Sequence, residues 1–483
     1  FKLATEKTSS SPMAGLHYTI WKAMATSDYC ASFQSVMLSM PFMFGFVNLR
    51  WLNQIDVMLE KKKGLRQIHR LRIIGLLEAD FNTALKFFFS QQMQNAAERH
   101  GISDEQHGSR RNRQAIDAAI IKLLTFECAR AKKSTIGEIS YDLKACFDMM
   151  KVSHSNLHAS RHNVDDNILR CRSLVKKGLK RRVKTGLGVS TGFYRELPGE
   201  TALDGEVQGS GDVPALYCNQ SSSFLLAHTQ VAPGLCLNSC TMQRAIKHWN
   251  ESYVDDTDGH NSAPHNSKDP INDLVRDMQR SAKVWMVLSD IGGGSIAMHK
   301  TFWRMLAWQV VNGELKMVKN TDKEIVLHDG KGGRGVVRYC TPDQPNEGLG
   351  FRICPDGNQE HLFRKVRDDL TALCGSLSSA HLSQKMARQA LFQRIEPKLA
   401  YPLSLSSFTP KQCKTLNAQI RRAILPQIGM NRNAPNALVF GPVEYGGLEF
   451  PETYSMQDYL QLEYMVKQLR WDETVANDAL DRK

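Results

Sequence analysis

Tyr253-Val254-Asp255-Asp256 sets two carboxylates side by side behind an aromatic and a β-branched residue. Ser252-Tyr253-Val254 is too apolar for a solvated loop, and the polar run Thr257-Asp258-Gly259-His260-Asn261 follows at once. The stretch therefore reads as a short hairpin with Asp255 and Asp256 at its turn and Tyr253 and Val254 packing inward. Two anions at one tight turn repel each other. Oxygen-only ligands call for a hard divalent cation to offset them, Mg²⁺ rather than zinc. A second acidic element, Ile139-Ser140-Tyr141-Asp142-Leu143-Lys144-Ala145-Cys146-Phe147-Asp148, alternates like a strand up to Asp142 and takes helical spacing after it. An aspartate ending one central strand and an Asp-Asp hairpin on another can converge on shared metals. Two-metal phosphoryl transfer requires that arrangement, with two cations about 4 Å apart holding the attacking and leaving oxygens. Taken alone, residues 253–256 are equally a solvated acidic turn, so other segments must decide.

Basic segments accompany these carboxylates. Arg72 lies in Arg70-Leu71-Arg72-Ile73-Ile74-Gly75-Leu76-Leu77-Glu78, a β-branched alternation that runs into helical spacing through Phe81, Leu85 and Phe88. A strand feeding a helix fits, with Arg72 a candidate phosphate ligand. The glycine-containing loop Gln106–Arg113 carries Arg110, Arg111 and Arg113 ahead of an amphipathic helix at 115–131, a natural seat for phosphate. The run Lys176–Lys184 is the densest in cations; a solvated helix face and contact with a nucleic-acid backbone account for it equally well. Gly209 and Gly211 would let backbone approach a flat partner such as a base pair. His154, His158 and His162 recur every fourth residue, but no Glu or Cys nearby completes a set. The outer two are two turns apart, too far for one zinc ion.

The bulk properties fit a polyanionic partner. The chain has 483 residues, enough for about three domains, and a net charge of +13 with a pI near 9.2. Hydrophobic content of 42% with 23% charged residues is that of a globular protein. No apolar run approaches the roughly 18 residues of a membrane span. No charged-then-apolar leader follows Phe1, so no signal peptide is expected, and the missing initiator Met suggests a fragment of a longer reading frame. Eleven scattered cysteines without a CxxC pair, Cys236 and Cys240 being nearest, predict reduced intracellular thiols and no structural zinc site.

Periodicity predicts the positioning elements. A helical lead-in occupies 1–50, and a helix ends at Asp56–Glu60 with Lys61, Lys62 and Lys63 on its C-terminal dipole before Gly64. Further helices fall at 215–227, at 271–291 ahead of Gly292-Gly293-Gly294, from His361 to about Ile428, and at 456–469. Strands fall at 297–303 and 348–353, with irregular β structure over 312–347.

In their order these segments resemble the reverse transcriptases of non-LTR (LINE-like) retrotransposons. Asp142 to Asp148 is similar to that family's Asp, short spacer, Phe-Asp motif, and Tyr253–Asp256 to its aromatic-x-Asp-Asp motif. Gln106–Arg113 resembles its Gln-x-Gly-aromatic-Arg-x-Gly-Arg segment, and Arg72–Leu77 its Arg-Pro-Ile-x-Leu-Leu segment. Gln208-Gly209 with Pro214 is similar to its Gln-Gly-x-x-x-Ser-Pro loop, Lys300-Thr301 to the Lys-Thr after the hairpin, and Leu349-Gly350 to a later Leu-Gly strand. The chain departs from the pattern at Ser109 (usually aromatic), Asn112 (Gly), Val213 (Ser) and Asn82 (commonly Lys); none of these is a metal carboxylate.

The resemblance implies an α+β right-hand polymerase with an antiparallel-sheet palm, mixed fingers and a helical thumb. Residues 1–69 would be an N-terminal helical extension, 70–135 fingers, 136–355 palm with a finger insertion at 151–206, 356–428 thumb, and 429–483 a linker and helix. The implied activity is RNA-directed DNA polymerisation, a nucleotidyl transfer from dNTPs to a primer 3′-hydroxyl. Asp142, Asp255 and Asp256 would hold Mg²⁺. Arg72, Arg110 and Arg113 would grip the triphosphate, and Phe147 would lie under the incoming sugar. Gln208 and Gly209 would touch the template–nascent base pair, Tyr253 would contribute to the substrate side, and Lys300 would give a proton to pyrophosphate or hold the primer backbone. Asp148 would brace a helix start. RNA template, a DNA primer or target DNA, and dNTPs are the implied partners, in the nucleus and away from membranes. Two alternatives stay open: a catalytically inactive RNA-binding remnant of a mobile element, and a maturase-like splicing cofactor.

Overall fold

A computed structural model describes residues 15–61, 64–144, 146–196, 205–238, 245–328 and 333–480. Lys62, Lys63, Ala145, Cys240 and parts of the segments read at 1–50, 151–206 and 312–347 lie outside the described residues. The chain divides into two units, Phe1–Ala118 with Lys133–Cys340, and Ala119–Lys132 with Thr341–Lys483. Both helices and sheets contribute, and the architecture is α+β.

A six-stranded sheet organises the first unit. In spatial order its strands are Ile325–His328, Arg334–Tyr339, Phe302–Leu306, Ile136–Tyr141, Asp256–Ser262 and Asn250–Tyr253. Neighbours are antiparallel except Phe302–Leu306 and Arg334–Tyr339, which run parallel, so the sheet expected to be antiparallel is mixed at that junction. Ile139, Trp303 and Met305 pack on Leu274, Met278 and Trp285 of the helix Pro270–Ile291. Each buried Leu or Met here contributes about 1.5–3 kcal/mol. Gly137 permits the close approach, because a Cβ there would sit 2.2 Å from Met278 Sδ. On the other face Glu138 and Arg304 stand opposite in register and form a buried ion pair at 3.0 Å. A one-residue slip would strand both charges in the interior, so this pair specifies the register.

A smaller sheet in the same unit has the order Leu71–Leu76, Asn53–Glu60, Lys180–Thr185, Gly188–Val189. Two sequence readings change here. Asp56–Glu60, expected to end a helix, is strand, paired antiparallel with Leu71–Leu76 and parallel with Lys180–Thr185. Pairing on both sides, with β-branched Ile55 and Val57, outweighs the local cap signal. The basic run 176–184 is not one helix face: Lys176 and Lys177 end the helix Asp166–Gly178, and Lys180 opens a strand. The strand read at 297–303 begins only at Phe302, after a turn in which Lys300 N and Thr301 N donate to Ala297 O.

The second unit is mostly helical, with Glu360–Ser379, Pro410–Ile424 and Thr453–Leu480 its longest helices. Leu370, Leu391, Leu416 and Ile420 belong to its core. A capping box between Thr409 and Gln412 starts Pro410–Ile424. Among the described residues no helix is long and apolar enough to cross a membrane.

Candidate active site

Sheet register carries the acidic residues to one end. Tyr141 pairs with Thr257 and Ser140 with Phe302, so Asp142, the 254–255 turn and Thr301 leave the same edge. Lys300 Nζ then reaches both Asp142 carboxylate oxygens, at 2.9 and 3.0 Å. The Asp142 backbone is fixed as well, its carbonyl accepting from Ala297 N at 2.8 Å. Asp142, Asp255 and Lys300 line a cleft of about 1460 Å³, together with Arg72, Phe147, Gln208 and Gly209. That exceeds the roughly 300–1,000 Å³ of a small-molecule pocket. Asp256, expected in the turn, instead opens the return strand opposite Tyr253. Neither Asp256 nor Tyr253 lines the cleft.

The hairpin is held in a costly conformation. Val254 takes a φ of 59°, a left-handed geometry that β-branched residues avoid. Its N–H donates to Gln106 Oε1 at 3.1 Å, and the same oxygen accepts from Gly108 N at 2.7 Å. Gln106 Nε2 donates to Ser221 Oγ at 2.8 Å and Ser252 Oγ at 3.1 Å. The 105–107 backbone pairs with the edge of the strand Asn250–Tyr253, Ser252 N donating to Glu105 O and His107 N to Ser252 O. Gly108 has no room for a side chain, since a Cβ would lie 2.3 Å from Val254 N. The Gln106–Gly108 segment is thus a clamp on the turn that carries Asp255, a role its sequence did not reveal. The only hint was an amide two residues before a glycine.

Charge is concentrated at the turn. Burial raises the Asp255 carboxyl above the ordinary aspartate range, against the pull of its own backbone N–H. The Asp142 charge raises it further, while Lys300 and Arg72 act the other way. Two carboxylates that sense each other at one cleft suit a hard divalent cation.

The remaining predicted residues separate into two groups. Phe147 borders the cleft and meets Tyr217 edge-on, centroids 5.5 Å apart. Gln208 O accepts from Gly75 N at 2.8 Å, which fixes the 207–211 loop to the strand Leu71–Leu76. Asn82 accepts from Gly211 N at 2.6 Å and donates to Gly209 O at 3.3 Å, tying this loop where the resembled family commonly has Lys. Beneath the loop, Arg172 and Lys176 are buried with Glu206 and Asp212; Arg172 Nε lies 2.6 Å from Asp212 and Lys176 Nζ 3.1 Å from Glu206. Lys176 is therefore a structural cation. Arg110 and Arg113 do not line the cleft. Arg110 lies 2.8 Å from Glu98 and donates to Ser103 O and Gln106 O, while Arg113 lies 3.1 Å from Asp104. Asn112, at φ 59°, adopts in place of glycine a conformation Asn tolerates. Asp148 is raised by burial, against Lys61 and Arg181. Lys61 and Lys86 also border the cleft. Lys86 was not anticipated, because a lone lysine within a helical pattern carries no signal.

No protein-family profile matches the chain, and no curated protein matches it. Among solved structures, apo telomerase from Candida tropicalis, truncated from its C-terminal domain, is similar at 15% identity and a TM-score of 0.32. That match covers 66% of this chain and 60% of the telomerase chain. Candida tropicalis telomerase in complex with the TWJ fragment of telomeric RNA is similar at 13% identity and a TM-score of 0.37, covering 94% of this chain and 70% of that one.

Proposed function

We propose that the chain is an RNA-directed DNA polymerase of the reverse-transcriptase class, related to those of non-LTR retrotransposons, which extends a primer 3′-hydroxyl with dNTPs on an RNA template. The observation that carries this reading is the meeting of Asp142 and Asp255, far apart in sequence, at one end of a sheet beside Lys300 and Arg72. Asp142 and Asp255, with support from Asp256, would hold Mg²⁺, which when bound activates the attacking hydroxyl and neutralises the triphosphate.

The chain's own residues do the rest. The Gln106 clamp fixes Asp255 in place before substrate arrives, so no reorganisation is needed at the moment of reaction. Lys300 pairs with both Asp142 oxygens and, on release, faces the cleft as a cation for phosphate. Among the described residues that line the cleft, Arg72 is the arginine available to a triphosphate; Arg110 and Arg113 support the loop. Phe147, braced by Tyr217, presents bulk where a 2′-hydroxyl would sit, and the 208–209 backbone offers a flat surface to a base pair. Primer extension on an RNA template with dNTPs and Mg²⁺ is the test. Product from the wild type and none from Asp255→Asn, with RNA binding retained by both, is expected. Template binding without extension by the wild type would replace this reading with that of an RNA-binding remnant.

A further inference from the structure

A second cluster of ligating side chains, away from the cleft, is shared between the six-stranded sheet and the two-stranded sheet of Leu235–Asn238 and Ala245–His248. His248 closes the strand Ala245–His248, Glu251 sits in Asn250–Tyr253 and His260 in Asp256–Ser262. Their ligand atoms all lie within 4.8 Å of one another. Glu251 and His260 are 3% and 1% exposed, and the His248 side chain 16%. His248 Nε2 is 2.9 Å from Glu251 Oε1, and His260 Nε2 touches the other carboxylate oxygen.

Both contacts are ion pairs when the rings are protonated. His248 Nε2, both Glu251 oxygens and both His260 ring nitrogens have no hydrogen-bond partner, although all are buried. With neutral rings that ion pairing is lost, and these interior polar atoms then lack a partner, a costly arrangement unless a cation binds them. Glu105 stands behind His248: its carboxylate accepts from Trp249 N, Asn250 N and Asn250 Nδ2, and lies 3.9 Å from His248 Nδ1. An outer carboxylate on the far ring nitrogen is the partner that orients a metal-bound histidine.

We propose that His248, Glu251 and His260 bind a divalent transition-metal ion, Zn²⁺ foremost, as a clip across three strands. Two nitrogens and a carboxylate make a borderline donor set that suits zinc and not the oxygen-seeking Mg²⁺. The second Glu251 oxygen or a water completes a tetrahedral shell. Two of the three strands it joins enter and leave the Val254–Asp255 turn, with Glu251 and His260 each a few residues from it. The site therefore stiffens the hairpin from behind. It does not depend on the polymerase reading, because its ligands and the cleft carboxylates are different residues.

The test is metal analysis of the full chain, expressed with added zinc and dialysed against metal-free buffer. About one equivalent of zinc should remain in the wild type, and little in His248→Ala and Glu251→Gln. Zn²⁺ alone, added to metal-stripped protein, should raise Tm in the wild type and not in either variant. Co²⁺ should give the visible bands of tetrahedral nitrogen and oxygen coordination. His248, being at the margin of the cluster, gives a variant whose folding can be verified by circular dichroism before loading. Wild-type protein that retains no zinc and shows no Tm response would make the cluster an ion-paired triad and overturn the proposal. So would an equal response in both variants, which would locate the ion at cysteines, or an equal response to Mg²⁺.

Discussion

Removing the Gln106 amide tests how the acidic turn is held. Gln106 is fully buried, and its Oε1 is the hydrogen-bond acceptor for Val254 N at 3.1 Å and Gly108 N at 2.7 Å. Gln106→Ala leaves both N–H groups in a space too small to be well solvated, at about 1–3 kcal/mol each. It also releases the restraint on Val254, whose left-handed backbone stores about 1–3 kcal/mol. The expected loss is about 2–4 kcal/mol, divided between global stability and the turn. Urea unfolding measures the first part, and primer extension the second, as a fall in kcat larger than any rise in KM, because the displaced group is Asp255. A double-mutant cycle isolates the cause. Val254→Gly adopts the same φ without strain, so Gln106→Ala, with no strain to release, should cost about 1 kcal/mol more in that background. A Gln106→Ala protein within about 0.5 kcal/mol of wild type, with unchanged kcat, would refute the clamp.

Further outcomes follow from the geometry. Because burial and the Asp142 charge raise the Asp255 carboxyl, the acid limb of Mg²⁺-dependent activity should sit above the ordinary aspartate range. Lys300→Met, which removes an opposing cation, should move that limb to higher pH. The metal-free fold has the opposite dependence: a carboxyl raised on folding contributes stability at pH below its unfolded value and loses it as pH rises through the folded value, so Asp255→Asn should flatten urea midpoints over that window. Glu206→Gln should destabilise by about 3–5 kcal/mol, because it leaves the buried Arg172 and Lys176 with one anion between them; a loss under about 1 kcal/mol would mean water reaches the network. Phe147→Ala should admit ribonucleotides in primer extension, and unchanged sugar selectivity would assign Phe147 to packing against Tyr217.

What the sequence determined by itself was local. Alternation through Ile139 and Tyr141 marked a strand stopping at Asp142, and the apolar-to-acidic switch at 253–256 marked a hairpin, because strand patterning and turn chemistry depend on neighbouring residues. Even there the turn fell one residue early, on Val254 and Asp255, because Gln106 reaches in from 148 positions away to hold a backbone that Val254 would not choose. Tertiary structure decided the assignment of charges. Three arginines with similar local surroundings parted: Arg72 reached the cleft, while Glu98 and Asp104 took Arg110 and Arg113. Lys176, one cation in a basic run, became the buried partner of Glu206 and Asp212. His248, Glu251 and His260 show no ligand spacing in the chain, because only hairpin register and a third strand bring them together. A side chain's type is written in the sequence, but its electrostatic partner is chosen by whichever opposite charge the fold brings within a few ångströms.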